Sequence, residues 1–252
     1  MNNKIHFLGI DIGGAHIKIV GLNKDKKINF VDYRKCYLWK GLKQLDNEIR
    51  FINSLVSNKN ILCGLTTTAE LCDIFSDRKK GGEIIFEKSK KIKFDKYFYS
   101  LKKKKFQRIS TLIPKKTISM NWHSIGEYVR SKKKDALVID FGSTTTDFLC
   151  IKNGVIINQN FSDFSRLNNG ELIYSGLMRT PIFALDKFIE INSKKFFIIP
   201  EFFSNMSDVY RINKKLKKSF DIENEVDSSG KKINNSLVRL SRSFGIDFKN
   251  KN

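Results

Sequence analysis

Two short stretches of this chain follow one plan, and that repetition limits what it can fold into. Gly9-Ile10-Asp11-Ile12-Gly13-Gly14-Ala15-His16 and Val138-Ile139-Asp140-Phe141-Gly142-Ser143-Thr144-Thr145 each carry an apolar run into an aspartate, skip one residue and enter a turn. The aspartates lie 129 residues apart (140 minus 11), about half of the 252-residue chain. The residues after each turn double back as a second strand, so each copy reads as strand, tight turn, strand. Turns rich in Gly, Ser and Thr expose backbone N–H groups and hydroxyls that cradle phosphate oxygens. An aspartate beside them can hold Mg²⁺ directly or through water. One Asp-x-Gly alone usually marks only a turn; the pairing at a half-chain interval carries the information.

Two such loops predict an α/β chain of two lobes, of the actin, sugar-kinase and Hsp70 type built on RNase H-like units. The first lobe spans 1–133 with Asp11–Gly14, and the second spans 134–252 with Asp140–Thr146. Between the loops, Leu42, Leu45, Ile49, Ile52, Leu55 and Val56 recur at helical spacing over 42–57, and 60–65 returns to strand. A short helix is expected over 70–79, stopped by Gly81-Gly82, then short strands broken by Lys-rich loops over 83–120 and a helix over 121–130. Lys132–Lys134 is the linker candidate. Later strands are expected at 145–151, 155–161 and 196–199, with helices at 201–212 and 233–244.

Charge invites another reading. The chain carries 47 basic and 26 acidic residues, a formal +21. Lys outnumbers Arg 37 to 10, however, and the runs Lys102–Lys105, Lys132–Lys134 and Lys214–Lys218 fall between periodic segments. Nucleic-acid surfaces favour Arg, which pairs bidentately with phosphate and guanine, and interleave it with stacking aromatics. No specific nucleic-acid partner is expected. No stretch approaches the roughly 18 apolar residues of a membrane span, and Met1–Lys4 runs straight into a strand-like stretch without a signal-peptide core. The expectation is a cytoplasmic protein without a membrane partner. Cys36, Cys63, Cys72 and Cys150 form no Cys-x-x-Cys, and His6, His16 and His123 supply no ligand spacing, so no structural zinc site is expected.

Further motifs occur in order: Thr67-Thr68-Ala69-Glu70-Leu71-Cys72-Asp73, Asn121-Trp122, Arg166-Leu167, Gly170-Glu171-Leu172-Ile173-Tyr174-Ser175-Gly176, Arg179-Thr180-Pro181, Pro200-Glu201-Phe202-Phe203 and Asp208-Val209-Tyr210-Arg211. With the two Asp-x-Gly loops, this series resembles the hydantoinase/oxoprolinase-like proteins of tetrahydromethanopterin-linked one-carbon metabolism, a group that includes an enzyme of methanofuran biosynthesis. The resemblance runs from about residue 5 to 248. It implies a transferase in which a tyramine-derived phenol displaces diphosphate from a furan methylene. Its partners would be small molecules, a furan diphosphate and a glutamylated tyramine. Fixed donors and Mg²⁺ stabilise such a leaving group most as the C–O bond breaks.

In this reading Asp11 and Asp140 are the metal residues, and Gly13, Gly14, Gly142, Ser143, Thr144 and Thr145 form the diphosphate cradle. By resemblance, Glu70 and Asp73, three apart on one helix face, take the phenol proton or bind an ammonium group. Arg166 and Arg179 pair with the diphosphate or a glutamyl carboxylate, while Glu171 holds one of them. His16 and Lys18 read as sheet-face residues. After Gly176 only isolated Gly230 and Gly245 remain. The late Gly-rich loop that seats adenosine in this fold is therefore missing, so the second lobe is read as short of its C-terminal part and ATP is not expected as a cofactor. An ATP-dependent amidohydrolase and a non-catalytic actin-like scaffold are the alternative readings.

If the positive charge is solvated lysine, duplex DNA should bind only non-specifically, with a dissociation constant of about 10⁻⁴–10⁻⁶ M at physiological salt. Replacing Lys102–Lys105 with Gln should weaken that binding further. Sub-micromolar, sequence-selective binding in a filter or anisotropy titration at about 200 mM salt would contradict this.

Overall fold

A hairpin and the strand that follows it organise the first half of the chain. The computed structural model describes residues 5–55, 60–111, 118–224 and 226–248. Strands β1 (Phe7–Ile12), β2 (His16–Leu22) and β3 (Ile28–Lys35) form an antiparallel meander. Helix α1 (Lys43–Ser54) then crosses over to β4 (Leu62–Thr67), which pairs with β1 in parallel. Helix α2 (Arg78–Ser89) leads to β5 (Asp95–Ser100), parallel to β4, and β6 (Lys105–Arg108) returns antiparallel. The sheet order is β3-β2-β1-β4-β5-β6. An antiparallel meander followed by two parallel crossover strands is the RNase H-like arrangement on which the actin-like ATPase fold is built. The core lies where Leu8, Ile10, Ile12, Ile17 and Ile19 of the hairpin meet Leu45, Ile49 and Ile52 of α1 and Ile85 and Phe86 of α2. Val56, expected at the end of α1, lies outside the described residues.

The expected helix over 70–79 is corrected. Residues 70–77 form successive turns, with the Cys72 N–H donating to Ala69 O and the Phe75 N–H to Cys72 O. Helix α2 starts at Arg78 because Asp77 caps it, its side chain accepting from the Lys80 N–H at 2.8 Å. Gly81 and Gly82 do not end a helix but lie inside this one. A Cβ on Gly81 would sit 2.5 Å from the Glu70 carbonyl oxygen, and one on Gly82 would enter the Ile118 side chain. Gly81 is there because the helix packs backbone-close on the turn before it, and Gly82 because the helix packs close against Ile118.

Helix α3 (Asn121–Arg130) precedes the later strands β7 (Ala136–Phe141), β8 (Thr146–Lys152), the short β9 (Val155–Ile156) and β10 (Leu172–Ile173), ordered β10-β8-β7 with β9 also pairing to β8. Chain contacts divide the protein into two units. One comprises Met1–Ala136 with Ile151–Ile156, and the other Leu137–Cys150 with Ile157–Asn252. The second contains helix α4 (Asp163–Asn168), a hairpin of β11 (Phe188–Ile191) and β12 (Lys194–Phe197), and helices α5 (Met206–Ile212) and α6 (Ile233–Arg242). The strand expected over 155–161 stops at Ile156, and the helix expected from 201 begins at Met206. There Asn205 and Asp208 form a capping box, with the Ser207 N–H also donating to Asn205 Oδ1 at 3.1 Å. Among the described residues, no helix is long and apolar enough to cross a membrane.

Helices α5 and α6 meet over an ionic core. Asp208 Oδ1 accepts from Arg211 Nη1 at 2.9 Å, Arg239 Nη2 at 2.7 Å and Ser236 Oγ at 2.7 Å. Arg239 Nη1 also reaches Asp227 at 3.0 Å. Removing one partner from a buried charge network leaves the others uncompensated. Asp208→Ala should therefore cost ~3–5 kcal/mol in a urea melt. Burial pushes the Asp227 carboxyl up, but hydrogen bonds from Ser229 and Arg239 outweigh it and hold its pKa down at about 2. A depressed carboxylate stabilises above its unfolded pKa of about 4. Its contribution should be complete above about pH 4 and lost toward pH 2, a limb that Asp227→Asn should remove from the stability–pH profile.

Candidate functional site

Both repeated turns close with the same hydrogen bond. The Gly13 N–H donates to His16 O at 2.9 Å, and the Gly142 N–H donates to Thr145 O at 2.9 Å. A Cβ on Gly13 would lie 2.9 Å from His16 O, and one on Gly142 would lie 3.1 Å from Thr145 O. Close approach, not a left-handed backbone, demands these glycines. The tips are Gly14-Ala15 in one loop and Ser143-Thr144 in the other.

Two carbonyls of each loop are taken by neighbouring backbone. In the first loop Leu38 N–H donates to Gly14 O at 3.0 Å and Cys36 N–H to Ala15 O at 2.8 Å. In the second, Leu177 N–H donates to Gly142 O at 2.9 Å, while Met178 and Arg179 N–H donate to Ser143 O at 3.1 and 2.9 Å. Among the described residues, the amides of Gly14, Ala15, Ser143 and Thr144 donate to no protein acceptor. Two carbonyls in each loop are thus occupied while the tip amides have no protein acceptor, an arrangement with the donor pattern that suits an anion. The Ser143 and Thr144 hydroxyls lie beside the second tip, 3.5 Å from each other.

A strap over residues 175–180 presses on the second loop. Gly176 has no room for a side chain: a Cβ would lie 2.6 Å from the Thr144 nitrogen. Thr180 Oγ1 accepts from the Gly176 N–H at 2.7 Å, and Thr146 Oγ1 donates to Ser175 O at 2.6 Å. Sequence reasoning gave this strap no role, although Gly176 and Thr180, four apart, were both in view.

The carboxylates differ between the loops. Asp11 stands opposite Lys18 across the hairpin, with Lys18 Nζ 3.1 Å from Oδ2 and Thr66 Oγ1 donating to Oδ1 at 2.8 Å. By the repeat, Asp147 occupies the place of Lys18 opposite Asp140. Asp147 is buried and takes Arg166 Nη1 at 2.6 Å. Burial pushes its carboxyl up, Arg166 pulls it down, and the nearby Asp140 pushes it up again, leaving it above the usual carboxylate range. Two acids beside open amides suit Mg²⁺, which binds through one or two carboxylates together with phosphate oxygens. Among the described residues, no group of three or more His, Cys, Asp or Glu is arranged for a metal.

The remaining site expectations resolve unevenly. Glu70 and Asp73 do not share a helix face. Glu70 is buried in a turn, its Oε1 bonded to Ser119 Oγ and 3.4 Å from Arg78 Nη2, while Asp73 is exposed. Glu70 follows the Thr67-Thr68 step that ties down β1, where Thr67 Oγ1 and the Thr68 N–H each donate to Ile12 O at 3.0 Å. Arg166 is buried and does not present its guanidinium to an anion; besides Asp147 it donates to Glu171 O at 3.0 Å and lies 3.9 Å from Glu171 Oε2. Glu171 thus holds an arginine, as expected of it. Arg179 is half-buried and stands beside the second loop through its own backbone bond to Ser143. Lys18 serves Asp11, and His16 is buried and stacks on Tyr33 at 4.5 Å between ring centres.

The glycine geometry makes a graded prediction. Gly13→Ala and Gly176→Ala should each cost ~1–3 kcal/mol, the usual range for overpacking. Gly14→Ala, which meets nothing within 4 Å, should stay within about 0.5 kcal/mol of the parent in the same chemical melt.

No protein-family model matches the chain. A curated relative from Methanocaldococcus jannaschii, named (4-{4-[2-(gamma-L-glutamylamino)ethyl]phenoxymethyl}furan-2-yl)methanamine synthase, is 30% identical over 97% of this chain and 73% of its own length. A protein of the same name from Methanococcus vannielii is 31% identical over 43% of this chain and 49% of its own. Neither name describes a hydantoinase or oxoprolinase. Among solved structures, an exopolyphosphatase from Cytophaga hutchinsonii covers 65% of this chain and 53% of its own at 13% identity and a TM-score of 0.38. A Bacteroides thetaiotaomicron protein with an actin-like ATPase fold and unknown function covers 67% and 75% at 12% identity and a TM-score of 0.37.

Proposed function

The chain belongs to the family of (4-{4-[2-(gamma-L-glutamylamino)ethyl]phenoxymethyl}furan-2-yl)methanamine synthases, and from that membership we propose that it forms the aryl ether this name describes, in methanofuran biosynthesis. The phenol oxygen of a glutamylated tyramine attacks a furan methylene, the bond from that carbon to the diphosphate oxygen breaks, and diphosphate leaves with the electron pair. The observation that supports this chemistry is the pair of loops in which neighbouring backbone takes two carbonyls while the tip amides donate to no protein acceptor.

Charge concentrates on the diphosphate as it departs, so donors already in place stabilise the transition state more than the ground state. The amides of Ser143 and Thr144 and the hydroxyls of Ser143, Thr144 and Thr145 are proposed to receive it, with Arg179 beside them. Gly13 and Gly14 form the corresponding cradle in the first unit. Asp140, backed by Asp147, would hold Mg²⁺, which supplies neutralising charge to the leaving group when bound. Asp11, paired with Lys18 and hydrogen-bonded by Thr66, is proposed as a separate, weaker metal contact within the first unit. Glu70 is proposed to act on the phenol proton and Asp73 to meet the substrate's ammonium group. Arg166 keeps Asp147 in position and does not bind the anion itself. ATP has no part in this reading.

The test is turnover of an aminomethylfuran methyl diphosphate with γ-glutamyltyramine, read by mass spectrometry of the ether and release of diphosphate. Ether and diphosphate should appear one for one, and Asp140→Asn should lower kcat ~10²–10³-fold, the scale of losing one preorganised stabilising group. Pyrophosphate with Mg²⁺ should raise Tm, since a ligand bound at 100 times its Kd contributes about 2.7 kcal/mol. ATP-dependent hydrolysis of a cyclic amide without ether formation would overturn the proposal.

A further inference from the structure

A ladder of aromatic rings begins where the first loop ends. His16, the residue after the Gly14-Ala15 tip, stacks on Tyr33 with ring centres 4.5 Å apart and lies edge-to-face with Tyr37 at 6.3 Å. Tyr37 in turn stacks on Trp39, with centres 4.7 Å apart and planes 26° from parallel. The segment that carries these two rings is the one that takes the loop's carbonyls. Cys36 N–H donates to Ala15 O at 2.8 Å, and Leu38 N–H donates to Gly14 O at 3.0 Å. Leu38 is fully buried, and Leu38–Lys40 form a 3₁₀ turn in which the Lys40 N–H donates to Tyr37 O and the Gly41 N–H to Leu38 O. The backbone at Trp39 is therefore fixed, yet Trp39 is 36% exposed while Tyr37 beneath it is 9% exposed. A single exposed apolar residue needs no explanation. A tryptophan fixed on a buried ring, beside tip amides that donate to no protein acceptor, is a preformed stacking face next to an anion's donors. Lys40 Nζ and Lys35 Nζ lie 5.5 and 5.9 Å from the centre of the Tyr37 ring and add positive charge there. All of these residues belong to the first unit.

We propose that Trp39 and the Gly14-Ala15 tip form one binding site for a small molecule that carries an aromatic ring and an anionic group. The ring stacks on Trp39, and the anion meets the tip amides in the field of Lys35 and Lys40. Trp39 follows Leu38, whose amide bonds to Gly14 O, and successive Cα atoms are only about 3.8 Å apart, so one small molecule can touch both. Both substrates of the reaction proposed above have this form, the glutamylated tyramine as a phenol with carboxylates and the other as a furan with a diphosphate. Identifying the ligand as one of them rests on that reading; the binding of an aromatic anion does not.

The chain has two tryptophans, and Trp122 is only 2% exposed, so acrylamide quenching of tryptophan fluorescence reports on Trp39. The probes are γ-glutamyltyramine and aminomethylfuran methyl diphosphate, each added alone so that no turnover is needed. Their ringless counterparts are γ-glutamylethylamine and inorganic pyrophosphate. At least one probe should protect Trp39 saturably, and the one that does identifies the ring. In calorimetry Trp39→Ala should raise the Kd of that probe about tenfold, the scale of one aromatic stack. It should leave the Kd of the ringless counterpart unchanged, and Trp39→Phe should keep most of the affinity; a merely structural Trp39 would shift both ligands alike. Absence of protection by either probe, equal protection by the ringless counterparts, or protection by ATP and by neither probe would overturn the proposal. Protection of Trp39 without ether formation in the turnover assay would sustain this site and remove the reaction. Ether formation with a KM indifferent to Trp39→Ala would sustain the reaction and remove this site.

Discussion

One hydrogen bond in each turn, from the amide of the glycine after Asp-x to the carbonyl three residues on, sets the geometry on which both loops depend. It brings the backbone so close that a Cβ on Gly13 would clash with His16 O, and one on Gly142 would crowd Thr145 O. It also leaves the tip carbonyls pointing away from the amides, where neighbouring segments can take them. Cys36 and Leu38 do this in the first unit, and Leu177, Met178 and Arg179 do it in the second. The two sets of neighbours have no common sequence pattern and belong to different elements. What the loops share is that neighbouring backbone takes two of their carbonyls, Gly14 and Ala15 in one and Gly142 and Ser143 in the other, while the tip amides donate to no protein acceptor.

Against that common frame, one position changes the electrostatics. Lys18 in the first hairpin neutralises Asp11, and its counterpart Asp147 in the second adds a negative charge beside Asp140. Asp147 requires Arg166 to be tolerable in its buried place, and Arg166 requires Glu171. That chain of partners explains why scarce arginine is used at residue 166 without being offered to a ligand. A carboxylate pair that protein groups only partly neutralise attracts a divalent cation; a carboxylate with its own ammonium partner does so far less.

The parts legible in the sequence were those encoded locally. The Asp-x-Gly hairpins, the amphipathic α1 and the helix of Asn121 and Trp122 each announce themselves within a dozen residues. The misread parts turned on signals with two physical meanings. A glycine pair can stop a helix or let a helix approach another backbone; at Gly81-Gly82 the close contact with Glu70 and Ile118 decides, and that contact is tertiary. Glu70 and Asp73 at a spacing of three look like one helix face, yet the turns of residues 70–77 separate a buried carboxylate from an exposed one. Arg166 looked like an anion ligand because its partner Asp147 lies 19 residues away. Asn205 and Asp208, by contrast, do spell a helix start, and the apolar Phe202-Phe203 before them drew the boundary too early.

The two units cohere by different means, which bears on how the second loop is held. The large apolar cluster belongs wholly to the first unit, running from Ile5 to Phe98. Among its described residues the second unit buries few large apolar side chains: Leu149, Leu172, Met178, Ile182 and Ile198. Its interior is joined instead by polar connections: Arg166 with Asp147, Thr180 with Gly176, Ser204 with Ser243 at 2.7 Å, and Asp208 with Arg211, Ser236 and Arg239. Apolar burial scales with area and tolerates small shifts, whereas hydrogen bonds and buried ion pairs lose their worth steeply with distance and angle. A unit held by directional contacts therefore keeps its loop in one geometry only while each partner is in place. That is the condition under which the amides of Ser143 and Thr144 would serve as the proposed anion site without rearrangement when charge arrives.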